Sequence, residues 1–208
     1  MSYPPNRIIL SAATFFVAVY RRVMIMLINS EDSLLRSIPM QAANEVAKVA
    51  SREIESWLCR REETVSLRNV ENDPTYQKDD IDLIWTTRNR TLRIEIKGDR
   101  WHRTGNFFFE TASNKERNTP GCLLYTKADY IFYYFVTPKI LYCLPMPATR
   151  EWFTANLARF KERSTTTPVG RHSYTTVGRL VPISAVVKEV GGVRKINLAQ
   201  QGHTVKQS

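Results

Sequence analysis

The chain of 208 residues has only three cysteines and three histidines, and they are scattered along it. No two cysteines form a Cys-x-x-Cys pair, and no cysteine stands at zinc-ligand spacing from a histidine, so a zinc site is not expected. An odd number of separate cysteines suits a reducing compartment, and we expect a cytoplasmic protein. No glycine-rich phosphate-binding loop is present. Nothing in the sequence points to a Ser-His-Asp or Cys-His triad.

The sequence also lacks an uninterrupted hydrophobic run long enough to cross a bilayer. Residues 8–20 are mostly apolar, but two arginines separate them from the short apolar run that follows. Such a run is too short to span, and central arginines make a longer span costly. We therefore expect no stable membrane association, and we interpret residues 1–28 as an extension ahead of a native start at Met24 or Met26. A membrane anchor over residues 8–28 is the alternative.

Composition and charge favour a globular domain with a polyanionic partner. Hydrophobic residues make up 43% of the chain, and the formal net charge is +10. A positive charge of this size favours nucleic acid and speeds association through long-range attraction. The excess is greatest from Ala148 onwards, where ten Lys or Arg stand against three Asp or Glu. A merely basic protein is the alternative interpretation.

Two predicted strands carry the pattern on which the functional hypothesis depends. Apolar and β-branched residues at 81–87 predict one strand, and alternating residues at 91–97 predict a second strand beyond a polar turn. Because side chains alternate between the faces of a strand, Glu95 and Lys97 share one face. Asp82, on the preceding strand, then lies beside Glu95.

This arrangement has a chemical use. Two carboxylates supply the hard oxygen ligands that Mg²⁺ prefers, and such a metal can activate a water and offset charge on a phosphodiester. Lys97 is placed to hold the attacking water or to offset phosphate charge. The alternative is an amphipathic hairpin whose Glu95 and Lys97 are simply exposed.

The same residues resemble a known motif. Asp82, followed after a spacer by Glu95-Ile96-Lys97, is similar to the signature of the PD-(D/E)xK nuclease superfamily, with Ile81 in place of the usual proline. A second likeness, to uncharacterised phage- and plasmid-type members, lies in the pattern E-T-x-S-N…T-P-G…K-A-D-Y-I…Y. Together the likenesses cover roughly residues 41–144.

The resemblance implies a fold and a domain organisation. The fold is α/β, with the restriction-endonuclease-like αβββαβ core of a mixed sheet flanked by helices. We expect this core at residues 37–147. The apolar extension at 1–28 precedes it, and a basic segment at 148–208, with a helix, a short strand and a tail, packs on it.

The resemblance also implies an activity, that of a Mg²⁺-dependent endonuclease which hydrolyses DNA with a metal-activated water. Its catalytic residues are Asp82, Glu95 and Lys97. Its metal ligands are Asp82, Glu95, the Ile96 carbonyl and Glu53, the last from the helix before the sheet. Mn²⁺ is expected to substitute for Mg²⁺, no small-molecule cofactor is expected, and a homodimer is allowed.

Periodicity outlines the remaining elements. Apolar residues at helical spacing predict helices at 37–59 and 149–163. The aromatic stretch at 129–136 is interpreted as a buried strand rather than as a base-stacking platform. A short strand at 179–183 and a frayed tail after Gly192 complete the prediction.

Basic residues close to the expected site are candidate DNA contacts, because phosphates bind basic side chains. Some follow the second predicted strand, one ends a predicted short helix at 122–128, and the rest form one side of the helix at 149–163. The candidates are Arg100, His102, Arg103, Lys127, Arg150, Arg159, Lys161 and Arg163.

Two other classes of function stay open. One is a catalytically inactive protein that keeps the nuclease fold and only binds nucleic acid. The other is a membrane-associated protein anchored by residues 8–28. The complete Asp-Glu-Lys set favours the enzyme. The sequence leaves the substrate open among DNA junctions, duplex sites, single strands and RNA.

Deletion of residues 1–27 tests the interpretation of the N-terminal extension. We expect the shortened protein to remain soluble and folded, because this interrupted apolar run has no place in the predicted order of core elements. Circular dichroism and size-exclusion chromatography compare it with the full chain. Precipitation of the shortened protein alone would mean that the segment belongs to the core.

Overall fold

The structure is a computed structural model that describes residues 40–169 and 172–200. The predicted extension at 1–28 and the first residues of the helix predicted at 37–59 lie outside the described part. Within it the protein is mixed α/β, with two β-sheets and five α-helices. No helix of the described part is long and apolar enough to cross a membrane.

The described part contains α-helices, short 3-10 turns and β-strands. The helices are α1 (Met40–Cys59), α2 (Pro74–Gln77), α3 (Cys122–Tyr125), α4 (Ala148–Ala155) and α5 (Ile183–Glu189). Short 3-10 turns lie at His102–Thr104 and Leu157–Arg159. The strands are β1 (Thr64–Asn69), β2 (Leu83–Thr87), β3 (Thr91–Asp99), β4 (Asn106–Asn114), β5 (Thr119–Pro120), β6 (Tyr130–Phe135), β7 (Ile140–Pro145), β8 (Lys161–Val169), β9 (His172–Pro182) and β10 (Arg194–Asn197).

The larger sheet is mixed and has the strand order β1-β2-β3-β6-β7-β10. β3 and β6 are parallel, whereas the other neighbours are antiparallel. The hairpin of β2 and β3 confirms the predicted pair of strands, with Leu83 opposite Ile94. Its turn is closed by the Thr87 amide, which donates to the Arg90 carbonyl at 2.8 Å.

Helix α1 covers one face of this sheet. Ala50 and Ile54 are fully buried against a cluster that includes Ile94 and Ile96 of β3. Gly98 permits the close approach, because a Cβ there would lie 2.9 Å from the Cβ of Ala50. The apolar face of β3 therefore belongs to α1, and its alternate side chains point away from the helix.

The smaller sheet has the strand order β5-β4-β9-β8. It packs against the face of the larger sheet that is opposite to α1, where alternate aromatic residues of β6 point. Phe107 of β4 packs with ring centroids 4.7 Å from Tyr133 and 5.2 Å from Tyr142. Both tyrosines are buried. The aromatic stretch at 129–136 is thus a core strand, as the sequence predicts.

The C-terminal third differs from the prediction. The helix expected at 149–163 is wrong in length, because α4 ends at Ala155 and Lys161 begins strand β8. The run of threonines at 165–167 explains the strand, since β-branched residues favour extended backbone. The short strand predicted at 179–183 is the end of the eleven-residue β9, which pairs along the whole of β8.

The described part of the tail after Gly192, residues 193–200, contains a strand where we expected fraying, and residues 201–208 lie outside the described part. Residues Arg194–Asn197 form β10 and pair with β7 at the edge of the larger sheet. Ile196 packs against the cluster on the α1 side. Four residues give too little periodicity to predict a strand, and only the free edge of β7 makes it one.

Asp99 lies at the end of β3 and is completely buried. It accepts a hydrogen bond from the Tyr133 hydroxyl at 2.6 Å and another from the Trp101 amide at 2.6 Å. Burial raises the pKa of Asp99 to about 6, although these hydrogen bonds favour the charged carboxylate. The folded protein therefore holds this proton more tightly than the unfolded chain does.

The Asp99→Asn variant tests this coupling. The stabilising contribution of the protonated carboxyl is complete below pH 4 and is lost as the pH rises through about 6. We expect the free energy of unfolding of the native protein to fall relative to that of the variant over this window, by up to about 3 kcal/mol. Urea denaturation at each pH measures the difference.

Asp129→Asn is the matched control. Burial opposes ionisation of Asp129, but hydrogen bonds from Arg93 outweigh it and hold its pKa below the usual range. Its contribution has the opposite sign, being present at neutral pH and lost as the pH falls. If both variants show the same pH dependence, Asp99 does not titrate as its surroundings indicate.

Candidate active site

Strand β3 carries Glu95 and Lys97 on the face turned away from α1, between the two sheets. Each residue is only 1% exposed. The Lys97 Nζ lies 2.9 Å from the Glu95 Oε1, which makes a buried ion pair. The alternative of an amphipathic hairpin with both side chains in solvent is therefore wrong.

Asp82 stands immediately before β2 and is 4% exposed. Its amide donates to the Ile94 carbonyl at 2.8 Å. One of its carboxylate oxygens accepts a hydrogen bond from the Ile96 amide at 2.9 Å. Asp82 thus lies beside Glu95 on the neighbouring strand, as predicted, and also fastens the start of β2 to β3.

Two residues that we did not select from the sequence lie close to Glu95. An Asp80 oxygen, a Glu95 oxygen and the Cys122 sulfur all lie within 4.8 Å of one another. Asp80 and Cys122 are 6% and 3% exposed. The Asp-Asp-Ile-Asp sequence contains three aspartates, and we selected Asp82 because it falls on the predicted strand and matches the motif. No spacing rule connects Cys122 to either of them.

Short-range contacts bring α3 to the cluster. The Thr126 hydroxyl, just after α3, donates to the Asp80 carbonyl at 2.9 Å. At the other end, a Cβ on Gly121 would lie 2.0 Å from the Glu110 carbonyl oxygen, so only glycine allows β4 and α3 to approach this closely. These contacts bring residues from four parts of the chain together.

The completed cluster, named here the acidic cluster, consists of four carboxylates, one ammonium and one thiol. Glu110 of β4 is 3% exposed and acts electrostatically on both Lys97 and Cys122. No other residue of the cluster exceeds 6% exposure. Its members are Asp80, Asp82, Glu95, Lys97, Glu110 and Cys122.

Electrostatics define the charge states of two members. Burial disfavours the ammonium of Lys97, but the surrounding acidic groups, Glu95 among them, outweigh it and hold its pKa well above the usual value. Burial raises the pKa of the Cys122 thiol well above its usual value; the Lys97 ammonium opposes this shift, and the nearby carboxylates add to it. At neutral pH the cluster therefore contains an ammonium and a neutral thiol.

The structure does not place Glu53 with these residues. Glu53 lies on α1 and accepts hydrogen bonds from the Tyr134 hydroxyl and, at 2.8 Å, from Lys139 Nζ. Tyr134 belongs to the core on the α1 side of the sheet, opposite to Glu95. Burial opposes ionisation of Glu53, but these hydrogen bonds hold its pKa below the usual value. The predicted metal-ligand role of Glu53 is therefore wrong.

Two of the predicted DNA contacts have internal partners. Arg150 donates to the Leu123 carbonyl at 2.7 Å and to the Thr126 carbonyl, so it holds α3 in place. Arg159 forms a bidentate ion pair with Glu189, in which its two terminal guanidinium nitrogens donate to the two carboxylate oxygens at 2.8 and 2.9 Å. The hydrogen bonds from Arg159 lower the pKa of Glu189 to about 2.

The remaining basic candidates belong to three different segments of the chain: the loop after β3, the segment after α3, and β8. Arg103, Lys161 and Arg163 are exposed. Lys127 lies outside α3, contrary to the predicted helix, and pairs with Asp79 at 2.9 Å. Arg100, whose guanidinium carbon lies 5.2 Å from the Trp101 ring, and His102 are half-buried in the loop after β3. The predicted basic side of one helix at 149–163 is wrong, because the helix ends at Ala155 and does not contain Arg159, Lys161 or Arg163.

Comparison of the chain with protein-family models, with curated proteins and with solved structures gives no match. The acidic cluster must therefore be interpreted from its own chemistry. Its carboxylate oxygens are suitable ligands for a divalent cation, and its ammonium is suitable for an anionic group or a water.

Proposed function

We propose that the protein is a metal-dependent nuclease of the PD-(D/E)xK type that hydrolyses DNA phosphodiester bonds. One observation carries the proposal: an Asp80 oxygen lies within 4.8 Å of a Glu95 oxygen, and Lys97 Nζ, from the same strand as Glu95, lies 2.9 Å from Glu95 Oε1. Moving a charged side chain from water into the protein interior costs on the order of several kcal/mol. Because of this cost, a buried cluster of charged groups is typical of a functional site.

The order of elements supports the same proposal. Helix α1 precedes the antiparallel strands β1, β2 and β3, and β6 pairs with β3 in parallel. A restriction-endonuclease-like αβββαβ core has this order. The connection from β3 to β6 departs from it, because it contains β4, β5 and only the four-residue helix α3.

The donor set fits a divalent cation. Asp80 and Glu95, whose ligand oxygens lie within 4.8 Å of each other, are the first candidates to hold it. Asp82 is a further candidate, because its carboxylate accepts a hydrogen bond from the Ile96 amide, next to Glu95. A cation bound there would lower the pKa of a water and offset the charge of a phosphodiester. The Ile96 carbonyl stays a predicted further ligand.

Lys97 supplies the positive charge of the cluster itself. Its ammonium has three donors, and its Nζ lies 2.9 Å from the Glu95 Oε1. In the proposed function it donates a hydrogen bond to a phosphate oxygen or orients the attacking water. Because the acidic groups hold its pKa well above the usual value, Lys97 acts as a charge and a donor rather than as a base.

Burial of the acidic cluster favours a second candidate function, that of a protein that binds nucleic acid without cleaving it. A phosphodiester reaches Glu95 and Lys97, each 1% exposed, only if part of the surrounding layer moves. If that layer stays closed, the cluster is structural and the protein binds nucleic acid without cleaving it. Cleavage assays distinguish the two candidates.

The variants Asp80→Asn, Asp82→Asn, Glu95→Gln and Lys97→Ala test the nuclease. The amides keep the shape of the carboxylates but remove the charge that a cation needs, and Lys97→Ala removes the ammonium. We expect each to lower cleavage by on the order of a hundredfold or more, as for loss of a main transition-state contact. Supercoiled plasmid, a four-way junction, single-stranded DNA and RNA are incubated with Mg²⁺, Mn²⁺, Zn²⁺ or Co²⁺, and with EDTA.

Glu53→Gln is the matched control, because this carboxylate lies on the other face of the sheet. It should cleave like the native protein, and all folded variants should still bind DNA. Full cleavage by both Asp82→Asn and Glu95→Gln would place the active site elsewhere. If the native protein cleaves nothing but binds nucleic acid, the binding protein is the correct candidate.

Exposed basic residues of β8 give a separate prediction for DNA binding. Lys161→Ala and Arg163→Ala should each reduce the slope of log affinity against log salt by just under one, about 0.9 for duplex DNA, if the residue contacts a phosphate. The control is the double variant Arg159→Gln with Glu189→Gln, which removes an ion pair without changing the net charge. Fluorescence anisotropy at several salt concentrations gives the slopes, and equal slopes throughout would remove β8 from the DNA interface.

A further inference from the structure

We propose that Cys122 is a metal ligand of the acidic cluster, so that the site prefers a divalent cation that accepts a thiolate, such as Zn²⁺ or Co²⁺, over Mg²⁺. This inference rests on the proposed function, which assigns a cation to the cluster. It adds a residue outside the Asp-Glu-Lys pattern and changes the expected metal.

The three candidate ligand atoms already lie close together. The Cys122 sulfur and the oxygens of Asp80 and Glu95 lie within 4.8 Å of one another. Zinc binds sulfur at about 2.3 Å and carboxylate oxygen at about 2.0–2.2 Å, so in its tetrahedral shell two such ligand atoms lie about 3.5 Å apart. Side-chain rotations that shorten the present separations by about 1 Å bring the three atoms onto one ion.

The backbone keeps the sulfur at this place. Cys122 is the first residue of α3, and Gly121 before it packs directly on the Glu110 carbonyl. On the other side, Arg150 holds the Leu123 carbonyl at 2.7 Å. Cys122 therefore cannot withdraw from Asp80 and Glu95 without disturbing both contacts.

The surroundings of the thiol differ from those of a cysteine that serves only packing. Cys143 is similarly buried, but it lies in the apolar core on the α1 side, with Leu141 and Phe132. Cys122 instead lies within electrostatic reach of Lys97, Asp80, Glu95 and Glu110. Carboxylates are ligands that a metal ion can share with a sulfur, whereas a thiol that serves only packing has apolar neighbours.

The chemistry selects the cation. Mg²⁺ prefers oxygen ligands and an octahedral shell, whereas Zn²⁺ and Co²⁺ accept sulfur together with oxygen. On binding, the S–H bond of Cys122 breaks, its proton passes to solvent, and the sulfur lone pair forms the bond to the cation. No electron is transferred, and no oxidant or reductant is required.

Titration of the metal-free full-length protein with Co²⁺ tests the proposal, because a thiolate bound to Co²⁺ gives a charge-transfer absorption in the near ultraviolet. The Cys59→Ser background is used, since Cys59 is exposed and can bind metal by itself. We expect the absorption in this protein, even with excess Mg²⁺. We expect Cys122→Ser to abolish it and to lower Co²⁺ affinity at least about tenfold, the smallest loss usual even for residues beyond the ligands.

Cys143→Ala in the same background is the matched control and should keep the absorption. The proposal is overturned if the background protein gives no absorption, or if the absorption survives Cys122→Ser. If Cys122→Ser does not fold, X-ray absorption of the Zn²⁺-loaded native protein decides. One sulfur at about 2.3 Å supports the proposal, and a shell of oxygen or nitrogen alone overturns it.

The outcomes separate this inference from the proposed function. A cobalt–thiolate absorption in a protein that cleaves no nucleic acid would retain the metal site and remove the nuclease. Mg²⁺-supported cleavage that Cys122→Ser leaves unchanged, together with no thiolate absorption, would retain the nuclease and remove Cys122 from the site.

Discussion

Lys97 is held as an ammonium between two sheets, where it and its partner Glu95 are each 1% exposed. Removing such charges from water costs several kcal/mol, of the order known for buried ions, and is tolerated only where opposite charges and hydrogen bonds surround them. The segments before β2, in β4 and at the start of α3 each bring an acidic or polar group to this point. Their positions are therefore coupled to one ammonium, although they are distant in sequence.

Two close backbone approaches make this coupling geometrically possible. At Gly98 the sheet meets α1 so closely that a side chain would contact Ala50, and this orients the apolar face of β3 towards the helix. At Gly121 the chain meets β4 on the opposite side of the sheet. These two contacts fix which face of the sheet Glu95 and Lys97 occupy. A shift of one residue in the register of β3 would turn its apolar side chains away from α1 and its charged side chains towards it.

Some basic side chains bind groups within the protein, and others are exposed to solvent. Arg150 holds the carbonyl groups around α3, and Arg159 is neutralised by Glu189, so neither adds to an external field. Lys161 and Arg163 lie exposed on β8. Net charge alone therefore overstates the surface available to a polyanion, since part of the charge stabilises the C-terminal elements on the core.

The sequence alone determined the elements whose pattern is local. Alternation identified β2, β3 and the face that Glu95 and Lys97 share, and helical spacing identified α1. It overextended the helix after Thr149, because the pairing of β8 with β9 outweighs helical spacing there, and it missed β10, which exists only through the free edge of β7. The contacts of Glu53, and the meeting of Asp80 with Cys122, were decided only by the tertiary structure. Which face of the sheet a side chain occupies, and which distant segment packs there, depends on long-range packing that no spacing of residues encodes.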